Sequence, residues 1–427
     1  MEEKFDAIVI GAGASGLGAA YKLARYGFNV VVLERGQRVG AKNVYGGRIY
    51  SHVFEKEIPD FRKEAPVERW VKKERLTLMD ENDAVTVELF SDFSPPNDSF
   101  TAILTKFNAW LAGKVEDAGG LVITGIKVDD LVMENGAVKG IVADDEKLIA
   151  DVVIDAEGVN PLLARRAGLR GDWEPDHIAV GVKEVIKLPK EVIEDRFNLD
   201  DGEGVANLFL GYASSFAQGG GFLYTNLDTV SLGVVVRVDA AMARKIKIYD
   251  IVEDFRAHPY ISRLLKGGNV IEYSAHLVPE AGIKGVAPKL YSDGLLLTGD
   301  AAGFVLNRGL TVRGVDFAFY SGVLAAETVK EAHEKGDFSA STLSEYERKL
   351  RESFVLGELE AFRRAPVVLS NLRFYETYPR VLVDIMKEAF TVDGNAKKLY
   401  PVMREKMKGR MSLFTLIRDT LAAVRNL

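Results

Sequence analysis

The run FDAIVIGAGASGLGAAYKLARYGFNVVVLER, residues 5–35, constrains the fold more than any other stretch. Ala7 to Ile10 form a continuous apolar run, as expected of a parallel strand covered on both faces. A glycine turn follows, then a helix with a small-residue face, ended by Gly27. Val30 to Leu33 read as the next strand. Within this unit lies Gly11-x-Gly13-x-x-Gly16. Gly11 permits the tight turn, Gly13 allows backbone to approach a pyrophosphate, and Gly16 allows close helix–strand contact. The helix start, with Ala14 and Ser15, offers amide donors and a favourable dipole. Glu34 closes the second strand about 20 residues on, where a carboxylate accepts from ribose hydroxyls. It also disfavours a 2′-phosphate, so FAD or NAD(H) fits better than NADP(H). Arg35 and Val128 join the cofactor candidates.

Composition narrows the chemistry around that unit. The 427 residues suffice for two or three domains. A net charge of −7 argues against a general nucleic-acid binder. Cysteine is absent, which excludes disulfides, zinc–thiolate sites, cysteine-ligated clusters and thiol catalysis within the chain. His52, His177, His258, His276 and His333 lack metal-ligand spacing, so no metal site is expected. No apolar run reaches the ~18 residues of a membrane span. The N-terminus enters a strand at once, with acidic residues first, and does not read as a signal peptide. The expected location is therefore cytoplasmic, or attached to a membrane from the cytoplasmic side.

Two later segments carry chemistry. In LLLTGDAAGF, Leu295 to Phe304, a buried strand ends at Gly299-Asp300. Asp300 is placed to hold a ribityl hydroxyl, and Gly303 with the NRGLT loop (including Gly309, Leu310 and Thr311) would let amides approach a flavin ring. A helix beginning near Thr311 would aim its positive end there. Alone this is an ordinary strand–loop–helix. Paired with the N-terminal fingerprint it points to a two-part FAD site. In VVIDAEGVNPLLARRAGL a strand ends at Asp155 and a turn follows at Gly158. That segment either assists the cofactor or simply holds the chain beside it.

The fold class expected is α/β. A Rossmann-like FAD-binding domain of the glutathione-reductase or p-hydroxybenzoate-hydroxylase type spans 1–171 and 286–335. A β-sheet domain over 172–285 is inserted, and 336–427 is mostly helical. Hairpins are expected around Asp80–Asp83 and Asn135-Gly136.

Longer blocks carry a resemblance. GAKNVYGGRIYSH, APVERWV, AVGVKEVIKLPKEVIEDRF, GGGFLYTN, EYSAHLVPEAGI and TGDAAGFVLNRGLTVRGVDFA resemble the FixC family of electron-transfer-flavoprotein:quinone oxidoreductases across essentially the whole chain. The resemblance implies an FAD-containing subunit of an electron-bifurcating complex. It would take electrons from the electron-transfer-flavoprotein alpha and beta subunits and pass them to a membrane quinone. Single-chain relatives carry a [4Fe–4S] cluster. Without cysteine, that cluster must sit on a separate ferredoxin-like subunit. In GAKNVYGGRIY, Lys42, Asn43, Gly46, Gly47 and Arg48 would form a lid over the flavin end. The family commonly has an arginine where Leu104 stands, so Arg35, Lys42 or Arg48 would have to serve the pyrophosphate.

For the quinone, the resemblance favours FAQGGGFLYTN: Gly220, Gly221, Phe222 and Tyr224, with Phe216, would line an apolar slot. From the pattern alone a bulged core strand is the better fit. His276 and Glu280 are candidates for a hydrogen bond or proton relay, and each also fits a structural role. The basic, partly apolar C-terminus, residues 400–427, reads as a closing or docking helix ahead of a membrane contact. The rivals are a geranylgeranyl-reductase-type enzyme, an aromatic hydroxylase and a scaffold retaining FAD only for folding.

Overall fold

The computed structural model describes residues 4–41 and 46–427. Two large sheets organise the chain. The first has eight strands, and its central path is Tyr291–Ser292, Leu295–Leu297, Glu146–Asp155, Lys4–Ile10, Val30–Glu34 and Leu121–Thr124. From Leu295–Leu297 to Leu121–Thr124 every pairing is parallel. This explains the uniform apolar runs: Ala7 to Val9 and Val31 to Val32 are fully buried, with layers on both faces. A hairpin, Val128–Glu134 and Ala137–Ala143, extends the sheet through the expected Asn135-Gly136 turn, both residues at positive φ.

The helix Ala14–Arg25 packs against the long helix Val315–Lys335. Small residues allow the approach: a Cβ at Gly322 would lie 2.0 Å from Ser15 O, and one at Gly18 would lie 2.6 Å from Phe319 O.

The second sheet has nine strands in the order Asn269–Pro279, Ile178–Lys187, Thr229–Arg237, Gly219–Thr225, Glu203–Gly211, Arg69–Met79, Ser99–Ile103 and Gly46–Tyr50, with Ala84–Phe90 beside Arg69–Met79. It therefore draws four strands from residues 46–103, well before the 172–285 segment expected to form it. Arg69–Met79 pairs with Glu203–Gly211 in parallel, and this splices the early strands onto the later ones. Helices Lys190–Phe197, Val238–Arg244, Ile248–Ala257 and Pro259–Leu264 cover one face around Val182, Leu223, Val234 and Phe255. The opposite face looks toward the first unit. The C-terminal region is helical, ending in Leu413–Asn426. Asp419 fixes that last helix: Arg373 Nη2 and Tyr378 Oη donate to its carboxylate at 2.9 and 2.8 Å.

Candidate functional site

The site begins where Lys4–Ile10 ends. Gly11, at φ +99°, turns so tightly that a Cβ would lie 2.5 Å from Ala156 O. Gly16 sits under the turn, where a Cβ would be 2.0 Å from Gly11 O. Gly13 differs: a Cβ there meets nothing within 4 Å, so open space lies over the helix start. Gly13 is the N-cap and has no side-chain cap, which leaves the amides of Ala14 and Ser15 facing outward. Glu34 Oε2 accepts from Ala12 N at 3.0 Å and Oε1 from Gly36 N at 2.6 Å. Those bonds fix the carboxylate and leave lone pairs to accept from hydroxyls. Gly125 N and Ile126 N donate to Gly36 O and Glu34 O, which brings Val128 to the same end of the crevice.

The second motif closes onto the first. Ser15 Oγ lies 3.5 Å from Ser321 Oγ, which in turn accepts from Gly299 N at 3.1 Å. A Cβ on Gly299 would sit 2.8 Å from Ser15 Cβ. Burial pushes the Asp300 carboxyl up to about 6, with the nearby His276 imidazole pulling the other way. Arg170 Nη1 donates to Ala301 O at 2.7 Å and stacks on Trp173, 3.4 Å from the ring centre, holding the turn beside Asp300. Asp155, fully buried, accepts from Glu157 N at 3.1 Å, and Glu157 caps the helix Leu162–Arg166 by accepting from Leu163 N at 2.7 Å. Gly158 follows at φ +83° with open space around it.

The side of the second sheet away from its helices faces this crevice, with its His276 in electrostatic reach of Asp300. Antiparallel register puts Gly181, Val235 and Gly220 in one row with His276, and Gly233 and Phe222 in the next. The Phe222 ring lies across Gly233, where a Cβ would come 2.3 Å from Cζ. Tyr224 stacks on Phe222, ring centres 5.1 Å apart. Burial raises the Tyr224 and Tyr50 phenols, so both stay neutral. Tyr50 Oη is buried with no hydrogen-bond partner among the described residues. Glu280 accepts from Asn307 Nδ2 at 2.7 Å and sits in a cleft with Arg237, Lys284, Leu369 and Tyr375. Burial pushes its carboxyl up to about 7.

Comparison with known proteins identifies this arrangement. Residues 6–87 match the family described as FAD dependent oxidoreductase, 178–278 that described as ETF-QO, ubiquinone-binding, and 365–427 the ETF-QO/FixC family C-terminal domain. The chain is 45% identical over 421 residues to the probable electron transfer flavoprotein-quinone oxidoreductase YdiS of Escherichia coli, covering 98% of each chain. It is 38% identical over 427 residues to the FixC protein of Bradyrhizobium diazoefficiens, covering 98% of this chain and 96% of that one. The chain belongs to the FixC/ETF-QO family. It is an FAD-dependent oxidoreductase. Among solved structures, a geranylgeranyl bacteriochlorophyll reductase-like protein from Thermoplasma acidophilum superposes with a TM-score of 0.73 at 22% identity, over 95% of this chain and 97% of that one. A flavin-dependent brominase gives 0.64 at 15%, over 100% and 95%. These share the fold. The reductase alternative rests on fold alone, whereas the FixC-family relatives align from end to end.

The crevice of this FixC-family chain suits FAD. The open space at Gly13, the outward amides of Ala14 and Ser15 and the fixed Glu34 carboxylate suit the pyrophosphate and ribose. Asp300, Gly299 and Gly303 lie across from them, and bound FAD would supply one- and two-electron redox chemistry.

Several expected residues stand elsewhere. Ser15 turns its hydroxyl to Ser321, so only its amide faces the crevice. Arg48 donates to Glu74 Oε2 and Ser99 Oγ, both at 2.9 Å, and lies over the Tyr50 ring, so its guanidinium is engaged on the second sheet rather than at a phosphate. Arg35 is exposed. Leu104 is buried at the first position of the helix Leu104–Asp117, so that place offers backbone amides and no guanidinium. The helix expected from Thr311 starts at Val315. Before it, Leu306–Asn307 and Val312–Arg313 pair as a hairpin, turned at Gly309 (φ +81°) and tied by Arg308 Nε donating to Thr311 Oγ1 at 2.6 Å. Leu310 lies exposed at its tip.

Gly221 points away from the slot, toward Phe255 at 2.8 Å from a Cβ, because alternate strand residues face opposite sides. Phe216 lies under Arg380, 3.6 Å from its guanidinium, outside the Phe222–Tyr224 row. Gly47 belongs to the strand Gly46–Tyr50 at the far edge of the second sheet. Lys42 and Asn43 lie outside the described residues. Sequence reasoning missed Gly181, Gly233 and Arg170. A glycine inside each of two strongly apolar strands was the available signal for the first two.

Proposed function

We propose that this chain takes electrons from a two-subunit electron-transfer flavoprotein and passes them to a membrane quinone. It does so as the FAD-holding subunit of an electron-bifurcating complex. The observation that carries the reading is the glycine-floored face of the second sheet. It opposes the nucleotide crevice and falls within residues 178–278, the stretch matching the ubiquinone-binding family. A planar ring needs such a floor, with Phe222 and Tyr224 as its wall and few polar groups to orient it. End-to-end likeness to a probable electron transfer flavoprotein-quinone oxidoreductase supports the donor side. The absence of cysteine supports a separate ferredoxin-like [4Fe–4S] subunit.

The chain would attach peripherally, on the cytoplasmic side of the membrane. No helix among the described residues is long and apolar enough to cross a bilayer. The helix Leu413–Asn426 leaves Phe414, Ile417, Leu421 and Val424 exposed. That face, with Arg418 and Arg425 on the same helix, supports surface attachment.

The test is a reconstitution. Purified protein with FAD is mixed with NADH, with and without the electron-transfer flavoprotein, and flavin bleaching is followed. Bleaching should require the flavoprotein, and a short-chain ubiquinone should restore the colour. Fast bleaching by NADH or NADPH alone overturns the reading.

A further inference from the structure

The strand Ile178–Lys187 carries a lysine in an otherwise apolar stretch. Val182 and Ile186 face the helix-covered core, and Glu184 on that side pairs with Arg256 at 3.0 Å. Lys183 therefore faces the opposite way, onto the glycine-floored side. It is 3% exposed; its ammonium makes no hydrogen bond among the described residues, and the Glu272 carboxylate on the neighbouring strand lies within electrostatic reach. Across the ladder it is flanked by Gly233 on one strand and Ser274 on the other. The Phe222 ring lies over Gly233. Ser274 Oγ is buried and has no hydrogen-bond partner among the described residues. One row of the sheet thus presents an aromatic ring lying over its glycine, then an ammonium and a hydroxyl. One step along the same face stands His276, within electrostatic reach of Asp300, so this row looks to the crevice.

Lysine is almost never fully buried without a partner, because a desolvated ammonium with no acceptor is costly. A purely packing role would be met by methionine at no such cost. Ser274 Oγ, buried without an acceptor, stands beside the Lys183 ammonium, and together they mark a place where a ligand brings an acceptor. We propose that Lys183 and Ser274 form the polar end of the quinone slot. Both donate to one carbonyl oxygen of a head group whose ring lies against Phe222 above Gly181. This assignment rests on the quinone-reducing reading above. Burial pushes the Lys183 amine down to about 8, with Glu272 opposing, so it remains mostly protonated at pH 7 and able to donate.

The test uses full-length, FAD-loaded protein and a short-chain ubiquinone. Lys183→Met keeps the stem and removes the donor. Its equilibrium Kd for the quinone and its KM should each rise about tenfold or more, while bleaching by the reduced electron-transfer flavoprotein keeps its rate. Lys183→Arg should recover part of the affinity, which a packing role would not predict. Ser274→Ala should raise Kd about threefold. Wild-type Kd and KM in Lys183→Met overturn the assignment. Should that variant lose its FAD, an unchanged Kd in Ser274→Ala overturns it instead. A wild-type protein that neither binds nor reduces quinone sinks the quinone reading itself, and this assignment with it. One that does both, with variants alike, sinks the assignment alone.

Discussion

The nucleotide crevice and the sheet face across from it are both built on glycine, for different reasons. At Gly16 and Gly11 the obstacle to a side chain is backbone: Gly11 O at 2.0 Å and Ala156 O at 2.5 Å. Backbone in a turn cannot retreat without unmaking the turn. At Gly233 the nearest obstacle is the tip of a side chain, Phe222 Cζ at 2.3 Å, followed by Val182 O at 2.6 Å. The ring can swing aside, which leaves Val182 O as the backbone obstacle there. The first set of glycines lets a turn close on its own backbone, whereas Gly233 makes room for the Phe222 ring. Substitution should therefore separate them, with collapse at the first and a narrowed site at the second.

The largest effect belongs to Gly16→Ala. Its Cβ would require the strand–turn–helix to reopen, a loss above about 4 kcal/mol. The expected protein is colourless after purification and melts well below wild type. Stoichiometric FAD in Gly16→Ala would show that backbone contact is not what demands glycine there.

Gly233→Ala should act on the other side only. Displacing the Phe222 ring and easing Val182 O is expected to cost about 1–3 kcal/mol. FAD content should match wild type, while KM for a short-chain ubiquinone rises several-fold. If Gly233→Ala lost FAD and quinone turnover together, the two faces would not be separable and the contrast would fail.

The same contrast explains what could be read in advance. Gly11, Gly13, Gly16 and Glu34 lie within one strand–helix–strand unit, where local spacing sets geometry. The crevice was legible because its parts are neighbours in the chain. The sheet face gathers Phe222, Gly233, Lys183 and Ser274 from four strands, and their company depends on register between distant segments. In the run Gly219-Gly220-Gly221, sequence cannot say which glycine faces the slot. The pairing of Gly220 with Val235, and the closeness of Gly221 to Phe255, decide it. Arg48 was expected near a phosphate because arginine often serves there. The strand Arg69–Met79, which brings Glu74 to it, gave no sequence sign that it lies across Ser99–Ile103 from Gly46–Tyr50. The late start of the long helix has a local cause, the Arg308–Thr311 tie, which a glycine pattern alone does not reveal.

The smallest effect sharpens the crevice side. In the protein without FAD, burial raises Asp300 to about 6, and His276 is the facing group that opposes the shift. A ribityl hydroxyl donating to this carboxylate favours its charged form, so FAD binding would expel a proton wherever Asp300 is still protonated. Affinity should then increase as pH rises through about 6 and level off above it. Between pH 7.5 and pH 5.0 the ionised fraction falls about elevenfold, so Kd for FAD should weaken by about tenfold at most. Fluorescence titration of FAD into the stripped protein at four pH values measures it. Asp300→Asn should bind FAD more weakly at pH 7.5 and lose the slope. A slope that survives in Asp300→Asn would assign the proton to another group, and Asp300 would then serve only to shape the turn between Thr298 and Gly303.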